Sequence, residues 1–102
     1  MTSCLEMVAF TLAPHAERDK FVAAAPSVTA WAAKQPGFQY RTLVDRGDHG
    51  WIDMIWWSSE EEAKSAADKI GQEMMSSPFM QMIDPTSVKI EHHPVAHMGL
   101  AA

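Results

Sequence analysis

The run Trp51-Ile52-Asp53-Met54-Ile55-Trp56-Trp57 constrains this chain more than any other part of it. Bulky aromatic and β-branched residues at this density favour a strand. Alternation puts Trp51, Asp53, Ile55 and Trp57 on one face, and Ile52, Met54 and Trp56 on the other. Neither face is polar, so the strand has to be covered on both sides. The single acid, Asp53, is either an ion-pair partner or part of a site.

The other elements are arranged around this strand. Residues 4–12 are apolar except for Glu6 and Thr11 and read as a first strand, ended by Pro14. Residues 16–34 read as a helix with Phe21, Ala24, Val28 and Trp31 on one stripe; Pro26 should kink or split it. Gln35-Pro36-Gly37 stops it. A second strand over 38–46 puts Phe38, Tyr40, Thr42 and Val44 on one face. Gly47-Asp48-His49-Gly50 is a hairpin turn with two glycines available for positive φ. Pairing Arg46 with Trp51 would set Val44 against Asp53, Thr42 against Ile55 and Tyr40 against Trp57. Ser59 and Glu62 form a capping box opening a helix over about 60–76, with a stripe of Ala63, Ala66, Ala67, Ile70 and Met74. The small end of that stripe allows close approach to the sheet or leaves a gap over it. Pro78 starts a short helical turn, Asp84-Pro85 is a turn, and 86–93 is a last strand with Val88, Ile90 and His92 on one face. The tail from Pro94 to Ala102 is loose or lies across a neighbouring chain.

The order β-α-β-β-α-β predicts an α+β, ferredoxin-like domain spanning 1–102, with a four-stranded antiparallel sheet and both helices on one face. The uncovered face is too apolar to meet water, and a second copy packed sheet to sheet is the simplest cover.

Composition removes several classes of function. A net charge of −5 without a basic run argues against nucleic acid and against an anionic membrane surface. The single Cys4 excludes an internal disulfide and is read as core, and with no signal-like or membrane-length apolar run the expected location is the cytoplasm. Phosphate loops, nucleophile elbows and HExxH are absent. His92 and His93 point to opposite faces of their strand, so with His97 they do not clamp a metal; no metal is expected.

Gln35-Pro36-Gly37-Phe38, Trp51-Ile52-Asp53, Trp57-Ser58-Ser59-Glu60 with Ala63, Ala66 and Ala67, and the stretch from Pro78-Phe79-Met80 to Ile83-Asp84-Pro85 resemble the antibiotic biosynthesis monooxygenase family of dimeric α+β barrels. The resemblance runs from about residue 4 to 93. It implies a homodimer and a pocket between helices and concave sheet. It also implies oxidation of aromatic molecules by dioxygen with no metal or flavin. Such sites use Trp, Asn, Tyr and Arg; this chain has Tyr40 and Arg41 and no asparagine. Haem-degrading relatives use an Asn on the first strand, where this chain has Glu6 and Met7.

The candidate site residues follow. Asp53 is a general base raised by desolvation, or a structural acid paired with Arg41, Arg46 or an indole N–H. His92 is a proton carrier, or a hydrogen-bonded histidine at a strand end. Trp31, Tyr40, Trp51 and Trp57 stack on a flat substrate, or form core and dimer interface. Trp56 belongs to the dimer interface. The reading favoured is a cofactor-independent monooxygenase acting on an apolar, aromatic small molecule, with Asp53 and His92 handling the proton. The alternative is a non-catalytic homodimer of the same fold that binds a small ligand or serves in stress.

Overall fold

A computed structural model describes residues 2–100; the last two residues of the tail lie outside them. The elements run β1 (Cys4–Thr11), α1 (Arg18–Ala33), β2 (Phe38–Gly47), β3 (Gly50–Trp57), α2 (Glu60–Glu73), α3 (Pro78–Gln81), a 3-10 turn (Pro85–Ser87) and β4 (Lys89–Pro94). The four strands form one antiparallel sheet in the order β2-β3-β1-β4. This is the ferredoxin-like topology expected from the element order. The Trp51–Trp57 run lies in an inner strand, where alternation buries Trp51, Asp53, Ile55 and Trp57.

Helix α1 passes through Pro26 without splitting. Pro26 and Val22, whose carbonyl loses its helical donor, both lie on the exposed side, where that carbonyl is open to solvent. Helix α2 begins at the expected cap: the Ser59 hydroxyl accepts from the Glu62 N–H, and the Glu62 carboxylate accepts from the Ser58 and Ser59 hydroxyls. It ends at Glu73, short of residue 76. Strand β4 starts at Lys89 rather than 86, because Asp84 caps a 3-10 turn first, accepting from the Thr86 N–H.

The register of β2 on β3 differs from the expected one by one residue. Leu43 lies opposite Asp53, Arg41 opposite Ile55, Tyr40 opposite Trp56 and Phe38 opposite Trp57. The pairing skips Arg46 and Gln39, so both ends of β2 carry an irregularity. The hairpin itself is a two-residue turn in which Asp48 (φ 51) and His49 (φ 63) take the left-handed region, preceded by Gly47 (φ 82). One extra residue in β2 reverses which side chains face the helices. Arg41 and Leu43 face in; Tyr40, Thr42 and Val44 face out with Ile52, Met54 and Trp56.

The core between sheet and helices is in two parts. One surrounds Phe21 with Phe10, Leu12, Val28, Trp51 and Phe79; Phe21 stacks on Phe79 and meets Trp51 edge-on. The other surrounds Trp57 with Cys4, Ala32, Ile55, Ala63 and Ala66. Among the described residues no helix is long and apolar enough to cross a membrane.

Candidate functional site

The two halves of the core do not close on each other. Between them lies a cavity of about 270 Å³. Its roof comes from Val28, Trp31 and Ala32 of α1 and Ala66, Ala67 and Ile70 of α2. The small residues of the α2 stripe therefore do two things. Ala63 sits fully buried in the core around Trp57, and Ala67, one turn on, borders the void. The lining includes the exposed apolar residues Met75, just after α2, and Val88 and Ile90, around the start of β4. Trp31 donates its indole N–H to the Glu73 carboxylate at 3.0 Å, tying α1 to α2 beside the opening.

Three charged side chains stand in this otherwise apolar wall: Glu6, Arg41 and Asp53. Each is explained by the alternation of its strand and the observed register. Asp53 and Glu6 are each 6% exposed. Burying either alone would be costly, so their partners determine what they can do.

Asp53 is fully engaged. Arg41 Nε donates to Oδ1 at 2.9 Å and to Oδ2 at 3.2 Å, and Nη2 donates to Oδ2 at 2.7 Å, a fork-to-carboxylate pair. The Arg41 side chain is only 4% exposed. Its Nη1 donates to the Ala25 carbonyl and the Thr29 hydroxyl, both on α1, and its guanidinium lies over the Phe79 ring at 5.1 Å. Arg41 thus ties β2, β3, α1 and α3 together.

Glu6 is held more loosely. Trp57 Nε1 donates to Oε1 at 3.1 Å. His92 Nε2 stands 3.5 Å from Oε2 but is not aligned as a hydrogen bond, and among the described residues this buried ring nitrogen has no other partner. Burial pushes the Glu6 carboxyl above its usual value; the Trp57 donor and His92 oppose that rise, and Asp53 adds to it.

The candidate residues separate accordingly. Asp53, Trp31 and Trp57 line the cavity. His92 lies behind Glu6 and touches the cavity only through it. Trp51 is buried in the neighbouring core against Phe21, with Arg18 over its ring at 5.8 Å, and does not line the cavity. Tyr40 is on the opposite face of the sheet, 61% exposed, with its ring 5.6 Å from that of Trp56. The register expected from the sequence sets it inward against Trp57; the extra residue at Arg46 turns it outward, and the irregularity at Gln39 gives that place to Phe38, which meets Trp57 edge-on. Along the sequence Glu6 shows as a break in an apolar strand. It carries the same signal as Asp53, a lone acid at an inward position. Among the described residues no three His, Cys, Asp or Glu side chains converge in a metal-binding group.

No protein-family model matches the sequence, and no curated protein matches it. Solved structures do. SnoaB, a cofactor-independent oxygenase from Streptomyces nogalater, superposes with a TM-score of 0.66 at 18% identity, over 98% of this chain and 97% of that one. A protein of Bordetella bronchiseptica proposed to be an antibiotic biosynthesis monooxygenase reaches 0.72 at 12% identity, over 91% and 96%. The chain has the antibiotic biosynthesis monooxygenase fold. ActVA-Orf6, a monooxygenase of Streptomyces coelicolor solved with nanaomycin D, gives 0.62 at 19% identity, over 99% and 94%. NE2512 of Nitrosomonas europaea, of unknown function, matches as well, at 0.66 and 14% identity over 100% and 97%. The shared feature is therefore the fold, and activity has to be argued from the cavity.

Proposed function

We propose that the protein is a cofactor-independent monooxygenase that oxidises an apolar, aromatic small molecule in the cavity between helices and sheet. The observation that carries this reading is the cavity itself: about 270 Å³, with apolar walls interrupted only by Glu6, Arg41 and Asp53. An apolar enclosure with a few convergent polar groups suits a flat ring bearing an acidic proton. Trp31 and Trp57 supply aromatic surface for it. A carboxylate of the wall takes a proton from a benzylic C–H activated by a neighbouring carbonyl. The resulting carbanion reduces dioxygen, a C–O bond forms, and the hydroperoxide loses water to leave a carbonyl. One oxygen atom enters the product and the other leaves as water, so the balance requires no further reductant.

The working unit in this reading is a homodimer. Leu5, Met7, Ile52, Met54, Trp56 and Tyr40 make the outward sheet face apolar, and among the described residues no helix covers it. Trp56→Glu should convert the dimer to monomer in light scattering; an unchanged mass would remove this face as the interface.

The test of the activity is oxygen uptake with 1,8-dihydroxyanthrone as probe, alongside quenching of tryptophan fluorescence. Binding with uptake supports the monooxygenase. Binding without uptake favours the alternative, a non-catalytic small-ligand-binding or stress-related homodimer. The engagement of both Asp53 oxygens by Arg41 is the observation on that side. Absence of binding would remove both readings of the cavity.

A further inference from the structure

We propose that Glu6 and His92 form a coupled carboxylate–imidazole dyad. Glu6 takes the proton from a molecule in the cavity, and His92 is the positioning residue that passes it outward. The inference rests on the monooxygenase reading only for the identity of the molecule that gives up the proton.

Two carboxylates border the cavity, and their surroundings assign them different tasks. Asp53 has both oxygens in the fork of Arg41. Protonating it would break that pair and leave a guanidinium with 4% exposure uncompensated. Glu6 has one oxygen held and one available. Oε1 accepts from Trp57; Oε2 accepts no hydrogen bond from the described residues and has the His92 ring nitrogen at 3.5 Å, out of line. Trp57 fixes the carboxylate plane, which is what an acceptor of a proton from a bound ring requires.

His92 supplies the exit. Its Nε2 is buried beside Glu6, yet its side chain is 15% exposed. It lies on β4, an edge strand of the sheet, opposite Glu6 of β1. The imidazole therefore touches both the cavity wall and the outside. The transfer is balanced. A substrate C–H bond breaks as an O–H bond forms on Glu6 Oε2, the electron pair staying on the substrate. That O–H then breaks as an N–H forms on His92 Nε2, and the imidazolium gives a proton to water. The charged and titratable groups facing Glu6 are His92 from β4, Asp53 from β3 and, behind Asp53, Arg41 from β2. The helices present apolar residues to this part of the cavity, among them Ala66, Ala67 and Ile70.

The deciding experiment follows the Glu6 carboxyl by carbon NMR of protein labelled in its glutamates, the signal being assigned by its loss in Glu6→Gln. Its midpoint should lie above an ordinary glutamate and move further up in His92→Phe, because an imidazolium that favours the carboxylate has been removed. A midpoint unmoved by His92→Phe, with the fold intact by circular dichroism, overturns the dyad. Oxygen uptake with 1,8-dihydroxyanthrone tests the transfer. Glu6→Gln should lose about 10²–10⁴-fold in kcat. The acid limb of the His92→Phe pH profile should shift with the Glu6 midpoint. Full activity in Glu6→Gln overturns the acceptor role. Wild-type protein inert toward the probe would instead count against the monooxygenase reading, and the NMR titration would still decide the dyad.

Discussion

Replacing Asp53 with Ala should destabilise the protein severely, for a reason visible in its partner. The substitution removes the acceptors of three Arg41 contacts, at 2.7, 2.9 and 3.2 Å. Arg41 stays charged, 4% exposed, with only the Ala25 carbonyl and the Thr29 hydroxyl left to it. Breaking a buried pair from one side costs about 3–5 kcal/mol, chiefly the burden of the stranded charge. A domain of this size has about 5–15 kcal/mol in total. With an unfolding entropy of about 0.2 kcal/mol/K for a chain this long, the melting temperature should fall by about 15–25 °C. The assay is urea unfolding followed by tryptophan fluorescence at fixed protein concentration, since any self-association shifts the midpoint. The double variant Arg41→Met/Asp53→Leu removes both charges and should recover most of the loss. An Asp53→Ala protein within about 1 kcal/mol of wild type would refute the reasoning, since a surface pair contributes no more than that.

Other expectations follow from the same geometry. Because burial raises the Glu6 carboxyl above its ordinary 4.5, its contribution to stability is fully present below that value and is lost as pH rises through the folded value. Glu6→Gln should therefore gain on wild type at pH 7 relative to pH 4 in urea unfolding; a gain confined to pH 4 contradicts the assignment. Gly37 has φ +86, and a Cβ there would stand 2.5 Å from the Glu62 carboxylate, so Gly37→Ala should cost about 1–3 kcal/mol. Gly71, inside α2 with open space where a Cβ would go, should give about 0.5–1 kcal/mol of stabilisation as Gly71→Ala; thermal unfolding separates the two. Burial also raises the Cys4 thiol, which is 2% exposed, so it should react with Ellman's reagent only on unfolding; stoichiometric reaction within seconds in buffer would contradict that.

Much of this protein is determined locally and could be read along the chain. The alternation of Trp51 to Trp57 sets which side chains of β3 share a face, and that survives any choice of neighbour. The cap at Ser59 and the proline at position 78 act within one turn of helix, so the starts of α2 and α3 follow from the residues themselves. The element order restricts the sheet to a small set of topologies. The sequence also marks Asp53 as an acid among apolar residues, and Glu6 by the same sign.

Tertiary structure decided the rest, because it depends on which strand residue lies opposite which. The extra residue at Arg46 moves Tyr40 from the cavity side to the outer face, and a second irregularity at Gln39 sets Phe38 against Trp57. The local pattern of β2 favours the other register, since Phe38, Tyr40, Thr42 and Val44 alternate with Gln39, Arg41, Leu43 and Asp45. Along the sequence Arg41, Arg46 and an indole N–H are all open to Asp53; the register, by turning Arg41 inward, selects among them. The meeting of Glu6 with Trp57 and His92 joins residues 51 and 86 positions apart. Only the folded sheet brings them to one wall, and the gap left between two halves of a small core gives that wall a cavity to face.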